Sequence, residues 1–436
     1  MSRHVPEGRL VRAGIAGTTA VRLGLNQLGH RIKRPFLSAG REQEARETLD
    51  DRNARLLFEA LSQLRGTALK AAQMLCMEVD LLPEAYRREL GKSCHRVPPL
   101  NRVLVRKVLV EEFGQPPEAL FSHFESEAFA AASLGQVHAA ILHDGTRAAV
   151  KIQYPGVAAA IDSDLGMLRQ MARGLPNPQL MQHALEDVHA RLREEVDYRK
   201  EADNLDWFRR HLPPAMAQVP PLVAERCGGR VLTAALADGQ HLDQWLAANP
   251  GQAARNRVAQ GLYDLFVHSL LGLRRLHADP NPGNYLFAPD GALTLLDFGC
   301  VKDISPAFAQ SLPRILRAYR DDDPATLFQA YGAVGMAYGK DFQRLYEDVL
   351  RPFGRWLVEP LRSDSFDFAT PGDYTARGKE AFNRLSDLRG LNRLADELIY
   401  FDRTFYGLCK LFERLGAEVR MGHHWFGAEA VTLQAR

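Results

Sequence analysis

With 436 residues, 46% of them hydrophobic, the chain exceeds one minimal core and reads as a globular protein of two lobes or more. Its 55 Lys+Arg against 53 Asp+Glu leave a formal net charge of +2, a balance that excludes a general nucleic-acid binder. No apolar run approaches the ~18 residues of a membrane span and no secretory signal is legible, so an intracellular chain is expected.

The start of the chain is basic and acid-poor: Arg3, Arg9, Arg12, Arg22, Arg31, Lys33 and Arg34 stand against Glu7 alone. Residues 1–43 read as a basic arm for an anionic membrane surface, with a solvated disordered arm and a transit peptide as competing readings. Several glycines are expected to interrupt any amphipathic helix there. Residues 44–79 read as a long helix, because Leu56, Leu57, Ala60, Leu61 and Leu64 keep a 3.6-residue period; Lys70 and Gln73 lie one turn apart on it. Pro83 suits the first turn of a further helix ended by Gly91. Pro98 and Pro99 mark a connector before a helix at about 101–113, which makes 44–120 a helical region.

From Ala128 the texture changes to strand. Val137 to Leu142, an Asp144-Gly145 turn and Ala148 to Ile152 predict a hairpin preceded by a small-residue loop. Helices are predicted at roughly 158–173 and 182–210, split by Gly174, Pro176 and Pro178. A second strand region at about 219–235 ends in Asp238-Gly239. Beyond it the reading is helical except for short loops and strands around 277–300. The expectation is an α+β bilobal fold, with an N-lobe over 121–235, a mostly helical C-lobe over 236–436 and a nucleotide in the cleft between them. The cysteines Cys76, Cys94, Cys227, Cys300 and Cys409 form no CxxC pair and are expected to be buried thiols.

The residues suited to chemistry form an ordered series. HADPNPGN (277–284) carries Asp279 and Asn284, and DFG (297–299) carries Asp297, at protein-kinase spacings. Phosphoryl transfer requires charge neutralisation, metal ligands and a group that orients the acceptor. Lys151, ending the strand AAVK, is placed to grip phosphate oxygens. Asp297 and Asn284 offer oxygen ligands to magnesium, and Asp279 orients or deprotonates the acceptor. A DFG tripeptide alone is a weak signal; the full series is the specific one.

In REEVDYRKEADN (193–204), Asp197 and Glu201 read as like-charged neighbours one helical turn apart, an arrangement that destabilises an isolated helix by a few tenths of a kcal/mol, roughly, unless a cation is near. Arg193 and Lys200 supply that cation if the face is simply solvated. The functional reading pairs Glu201 with Lys151 and brings Glu195 and Asp197 to a metal or to another lysine. Where a kinase has its glycine-rich phosphate loop, this chain has AAASLGQVH (130–138). Only Gly135 remains, so Ala130, Ala131, Ala132, Ser133, Gly135 and Gln136 are expected to meet nucleotide differently from consecutive glycine amides. Taken alone, such a segment is more often packing.

Together these motifs resemble the UbiB family of atypical kinases, the ubiquinone-linked group of mitochondrial kinases and their bacterial relatives. The likeness runs over most of 50–420: LKAAQML (69–75), LLPEAY (81–86), RVPP (96–99), AAASLGQVH, VKIQYPGV (150–157), EVDYRKEADN, HADPNPGN, DFG and FYGLCKLFERLGA (405–417). It implies a protein-kinase-like fold with an N-terminal helical extension over the cleft. Lys70 and Gln73 match the family's KxGQ motif, Glu195 and Asp197 its ExD motif, with Lys70 reaching Glu195 or the nucleotide. It further implies ATP or ADP with Mg2+, and an ATPase or atypical kinase that supports ubiquinone biosynthesis. The implied partners are a quinone precursor or lipid, an anionic membrane surface and quinone-biosynthesis proteins. A nucleotide-binding scaffold without turnover, and a true protein or small-molecule kinase, are the alternatives.

The chain departs from the family at Ala72, where the motif has glycine; the added methyl either alters how that helix seats or, alanine being the better helix former, is harmless. Asn281 stands where many relatives have histidine, and ADG (237–239) lacks the Met-Glu of many hinges. Arg414, Glu418, Arg420, His423 and His424 keep the C-terminal segment from spanning a membrane. The nearer likeness is therefore to the soluble branch, expected in the cytoplasm and peripheral to the inner membrane.

Overall fold

A computed structural model of the chain describes residues 9–33, 39–64, 71, 102–132, 134–172, 178–338, 342–370, 373–386, 391–393 and 395–426. They form two compact units, one from 1–200 with 223–233, the other from 201–222 with 234–436. The first unit is discontinuous in sequence, because one of its strands comes from further along the chain.

The first unit begins with helices α1 (Arg9–Lys33), α2 (Ala39–Leu64), α3 (Arg102–Phe113) and α4 (Pro117–Leu120). Four strands follow: β1 (His123–Phe124), β2 (Ala130–Ala132), β3 (Gly135–Ile141) and β4 (Arg147–Gln153). Then come α5 (Val157–Ala172), α6 (Pro178–Glu195) and the first turn of α7 (Tyr198–His211), before β5 (Val231–Ala235). The sheet runs β1-β3-β4-β5, with β2 paired to β3.

The Asp144-Gly145 turn joins β3 to β4 as expected. Thr146 N donates to Asp144 Oδ1 at 2.9 Å, and Gly145 takes φ +87°, open to glycine at no steric cost. Side chains alternate across a strand. Ala148, Val150 and Ile152 therefore bury on one face against Val105, Val108 and Leu109 of α3, while Lys151 stands on the other.

A second core of this unit is helical. Leu23 of α1, Ala54, Leu57 and Ala60 of α2, Ile161 and Leu165 of α5 and Leu185, Val188 and Leu192 of α6 meet in it. Asn53 is fully buried and accepts from Asn26 Nδ2 at 2.8 Å. This packing explains why α1 runs unbroken through Gly14, Gly17, Gly24 and Gly29: burial of one helical stripe outweighs glycine's cost of about 1 kcal/mol each. The glycines do not interrupt the helix, and the 43/44 boundary falls inside α2.

The long helix expected over 182–210 is two helices. Asp197 ends the first, because its Oδ1 accepts from Lys200 N at 3.1 Å and so caps α7. A carboxylate at a helix N-terminus is stabilised by the macrodipole. The expected repulsion between Asp197 and Glu201 inside one helix therefore does not arise.

The second unit adds α8 (Leu242–Ala247), α9 (Gln252–Val267), β6 (Arg275–His277), β7 (Tyr285–Phe287), β8 (Leu293–Leu295) and β9 (Val301–Asp303). Helices α10 (Pro306–Asp321), α11 (Pro324–Ala333), α12 (Arg351–Val358), α13 (Tyr374–Ser386), α14 (Asp396–Leu415) and α15 (His423–Phe426) follow. β6 pairs antiparallel with β9, and β7 with β8. α14 buries Leu398, Phe401, Phe405, Leu408, Phe412 and Leu415 at helical spacing. Cys227, Cys300 and Cys409 are thiols, with Cys409 buried. Among the described residues no helix is long and apolar enough to cross a membrane. The expectations on Pro83, Gly91, Pro98, Pro99, Cys76 and Cys94 fall outside the described residues.

Candidate active site

In the second unit the pairing of β6 with β9 sets the HAD and DFG segments side by side. His277 lies opposite Val301, and Ala278 N donates to Cys300 O at 2.9 Å. The buried His277 then ties the two loops together: its Nε2 lies 2.7 Å from the carbonyl oxygen of Asp297. A carbonyl only accepts, so Nε2 carries the proton. Phe298 is fully buried, with its ring 5.4 Å from Phe208 of α7 and edge-on to His277. Asn204 of the same helix donates to Phe298 O at 3.0 Å and accepts from Arg275 Nη2 at 2.6 Å. The DFG backbone is held from two directions, by His277 at Asp297 O and by Asn204 at Phe298 O.

Pro282 opens a short 3-10 turn, capped by Asn281, whose Oδ1 accepts from Gly283 N at 2.9 Å. Asn281, a departure from many relatives, thus does a capping task. The turn carries Asn284 back toward Asp279: Asn284 Nδ2 donates to Asp279 Oδ2 at 2.8 Å, while Asn281 N donates to Asp279 Oδ1 at 3.2 Å. Asn284 O accepts from Leu296 N at 2.9 Å, which brings Asn284 beside the residue preceding Asp297. Asp297 Oδ1 accepts from Gly299 N at 2.9 Å. Behind the loop, a Cβ on Gly407 would stand 2.3 Å from Pro280 Cγ, so α14 passes this close only because residue 407 is glycine.

Asp279, Asn284 and Asp297 are all half-buried and present oxygen donors, the set that suits a hard cation. The bond from Asn284 Nδ2 to Asp279 fixes the amide so that its oxygen is the atom left to coordinate. These residues fit magnesium.

In the first unit, Lys151 is half-buried, and its Nζ lies 5.0 Å from the ring centroid of Tyr198, the buried first residue of α7. The Ala-rich segment is a tight hairpin, Ala130 opposite Val137, Ala131 opposite Gln136 and Ala132 opposite Gly135. Gly135 is required there, since a Cβ would meet Ile152 O at 2.4 Å and Tyr198 Oη at 2.7 Å. Gln136 is turned inward and buried, 2.7 Å from His138 Nε2. His138 Nδ1 donates to Glu125 O at 2.8 Å, so Nε2 accepts from the glutamine; burial holds the imidazole below its usual pKa, as that neutral tautomer requires. Ala130 and Ala132 are half-buried and Ala131 exposed. Glu195 closes α6, half-buried; Asp197 is the exposed cap of α7, and Glu201 is buried in its first turn, on the second unit's side of the division. Lys70, Gln73 and Ser133 lie outside the described residues.

The structure therefore brings Asp279, Asn284 and the DFG segment together, and seats Lys151 on Tyr198. Sequence reasoning missed His277, Asn204 and Gly407. Each stands inside a quoted motif, and for His277 and Asn204 the signal available was a polar residue that the catalytic reading had left without a role.

Fold and loop chemistry together define a protein-kinase-like protein. The chain belongs to the family of the ABC1 atypical kinase-like domain, whose model matches residues 92–331, and the resemblance to the UbiB atypical kinases holds. It is 33% identical to the atypical kinase COQ8B, mitochondrial, of Rattus norvegicus, over 88% of this chain and 72% of that protein. It is 28% identical to the atypical kinase COQ8, mitochondrial, of Saccharomyces cerevisiae, over 96% of this chain and 84% of that one. Among solved structures it is similar to Rv3197 of Mycobacterium tuberculosis, determined in complex with erythromycin, at 26% identity and a TM-score of 0.59, covering 88% of this chain and 99% of that chain.

Proposed function

We propose that the chain is a magnesium-dependent ATPase or atypical kinase that supports ubiquinone biosynthesis beside a membrane. Lys151 neutralises phosphate charge, Asp297 and Asn284 hold magnesium, and Asp279 orients the acceptor or water. Glu201 steadies Lys151, and the Ala-rich hairpin covers the nucleotide. Lys70, Gln73, Glu195 and Asp197 tune access to it. The observation that carries this reading is the hydrogen-bonded Asp279–Asn284 pair beside a DFG segment anchored by His277. COQ8-type relatives support the pathway.

The membrane part rests on α1. Val21, Leu25, Leu28 and Ile32 recur on one helical stripe and are each exposed by more than half. Quinone precursors and lipids are the substrates such a surface gives access to.

The test is ATP hydrolysis by the full chain with and without magnesium. Lys151→Ala and Asp297→Asn should each lower turnover by about 100-fold or more, and chelation should do the same. Parent-level turnover in both variants would overturn the reading. Tight ATP binding without hydrolysis by the parent, with vesicles and a quinone head-group mimic present, would favour a scaffold.

A further inference from the structure

Outside the residues assigned to nucleotide, the second unit holds another cluster of ligand-type side chains. Asp264 of α9 and the consecutive pair His423 and His424, which open α15, bring one carboxylate oxygen and two imidazole nitrogens within 4.8 Å of one another. We propose that this triad binds a divalent transition metal of the zinc type, with water completing the shell.

Donor chemistry selects the metal. Two imidazoles and a carboxylate suit zinc and its first-row neighbours, whereas magnesium prefers oxygen ligands alone. The triad and the Asp279, Asn284 and Asp297 loops thus call for different cations.

The ligands are also preorganised. Met421 and Trp425, on either side of the histidine pair, are both fully buried. Trp425 Nε1 donates to Tyr263 Oη at 2.5 Å, and Tyr263 Oη donates to Met421 O at 3.3 Å. Tyr263 immediately precedes Asp264, so one tyrosine ties the segment that carries the imidazoles to the helix that carries the carboxylate. The two histidine rings lie 3.9 Å apart. His424 Nε2 donates to Asp264 Oδ1 at 2.8 Å, and Gln260 Nε2 donates to the same oxygen at 2.8 Å, the kind of outer partner that orients a ligating carboxylate. On binding, His424 changes tautomer: Nε2 gives up its proton and Nδ1 takes one up, so the neutral ring offers the Nε2 lone pair to the metal beside the carboxylate with no net proton released.

Such an ion would staple α15 to α9. The test is zinc titration of the chelator-treated full chain in excess magnesium, read by competition with a chromophoric chelator, with Co2+ as a visible-absorption probe. The parent should bind one zinc per chain and gain thermal stability from it. His423→Ala and Asp264→Asn should each weaken binding by about tenfold or more, while Asp297→Asn should not. His423→Ala leaves the Asp264–His424 hydrogen bond intact, so it carries the test if Asp264→Asn does not fold. Absence of one-to-one binding by the parent, or parent-like affinity in His423→Ala, would overturn the proposal and leave a metal-free hydrogen-bonded pair.

Discussion

Asn204 shows how a residue without a catalytic group governs a site. Its amide donates to Phe298 O and accepts from Arg275, so truncation leaves a buried carbonyl and a guanidinium each short of a partner. Asn204→Ala should cost about 1–3 kcal/mol in urea denaturation, and nucleotide turnover should fall more than nucleotide affinity. Asp197 poses the reverse question, because a capping residue and a charge-bearing functional residue look alike in sequence. Asp197→Asn keeps the cap and removes the charge, whereas Asp197→Ala removes both, at about 1 kcal/mol of stability. Equal turnover in the parent and the asparagine variant would assign Asp197 to capping; a loss confined to turnover would assign it to chemistry. Gly407→Ala should destabilise by about 1–3 kcal/mol through its approach to Pro280.

Among elements, α1 carries the clearest division of labour. Leu23 is buried in the helical core while Val21, Leu25, Leu28 and Ile32 are exposed, so one helix offers one face to its unit and another to its surroundings. Replacing Leu25 and Leu28 by Glu should leave the thermal midpoint nearly unchanged and abolish co-sedimentation with vesicles rich in anionic lipid. Co-sedimentation equal to the parent's would show that α1 is not the anchor. The β3–β4 hairpin was legible from sequence because the Asp144-Gly145 turn sits between two strand-like runs, and such turn chemistry is local. The α6–α7 break was not: Asp197 and Glu201 read as a like-charged pair within one helix, and only the Lys200 amide beside Asp197 reveals a cap. The continuity of α1 was hidden for a similar reason, since glycine's cost is local and the packing that offsets it is not. The Asp279, Asn284 and Asp297 series was legible because loop chemistry needs particular atoms, whereas the holding roles of His277 and Asn204 depend on contacts between distant segments.

For the whole molecule, Asp402 of α14 makes stability depend on pH. Although part of its surface stays accessible, the protein packed around it pushes its carboxyl up to about 8. The folded chain then keeps a proton that the unfolded chain releases above about pH 4. This contribution to stability is complete below the unfolded pKa and lost as pH rises through about 8. Asp402→Asn should match the parent at pH 4 and exceed it near pH 8.5 by on the order of 1–3 kcal/mol, allowing for solvent screening. Parallel stability curves for the two proteins across that range would refute this assignment.

The position of β5 bears on how the chain is made. Gln153 N donates to Arg230 O at 3.0 Å, and β5 completes the sheet beside β4, yet α5, α6 and α7 are all synthesised between those strands. During translation β4 leaves the ribosome with one hydrogen-bonding edge bare, and its unpaired backbone amides and carbonyls can pair with another chain until the later strand arrives. Chains halted before Val231 should therefore aggregate where the full chain refolds, and chaperone dependence should concentrate in that interval of synthesis.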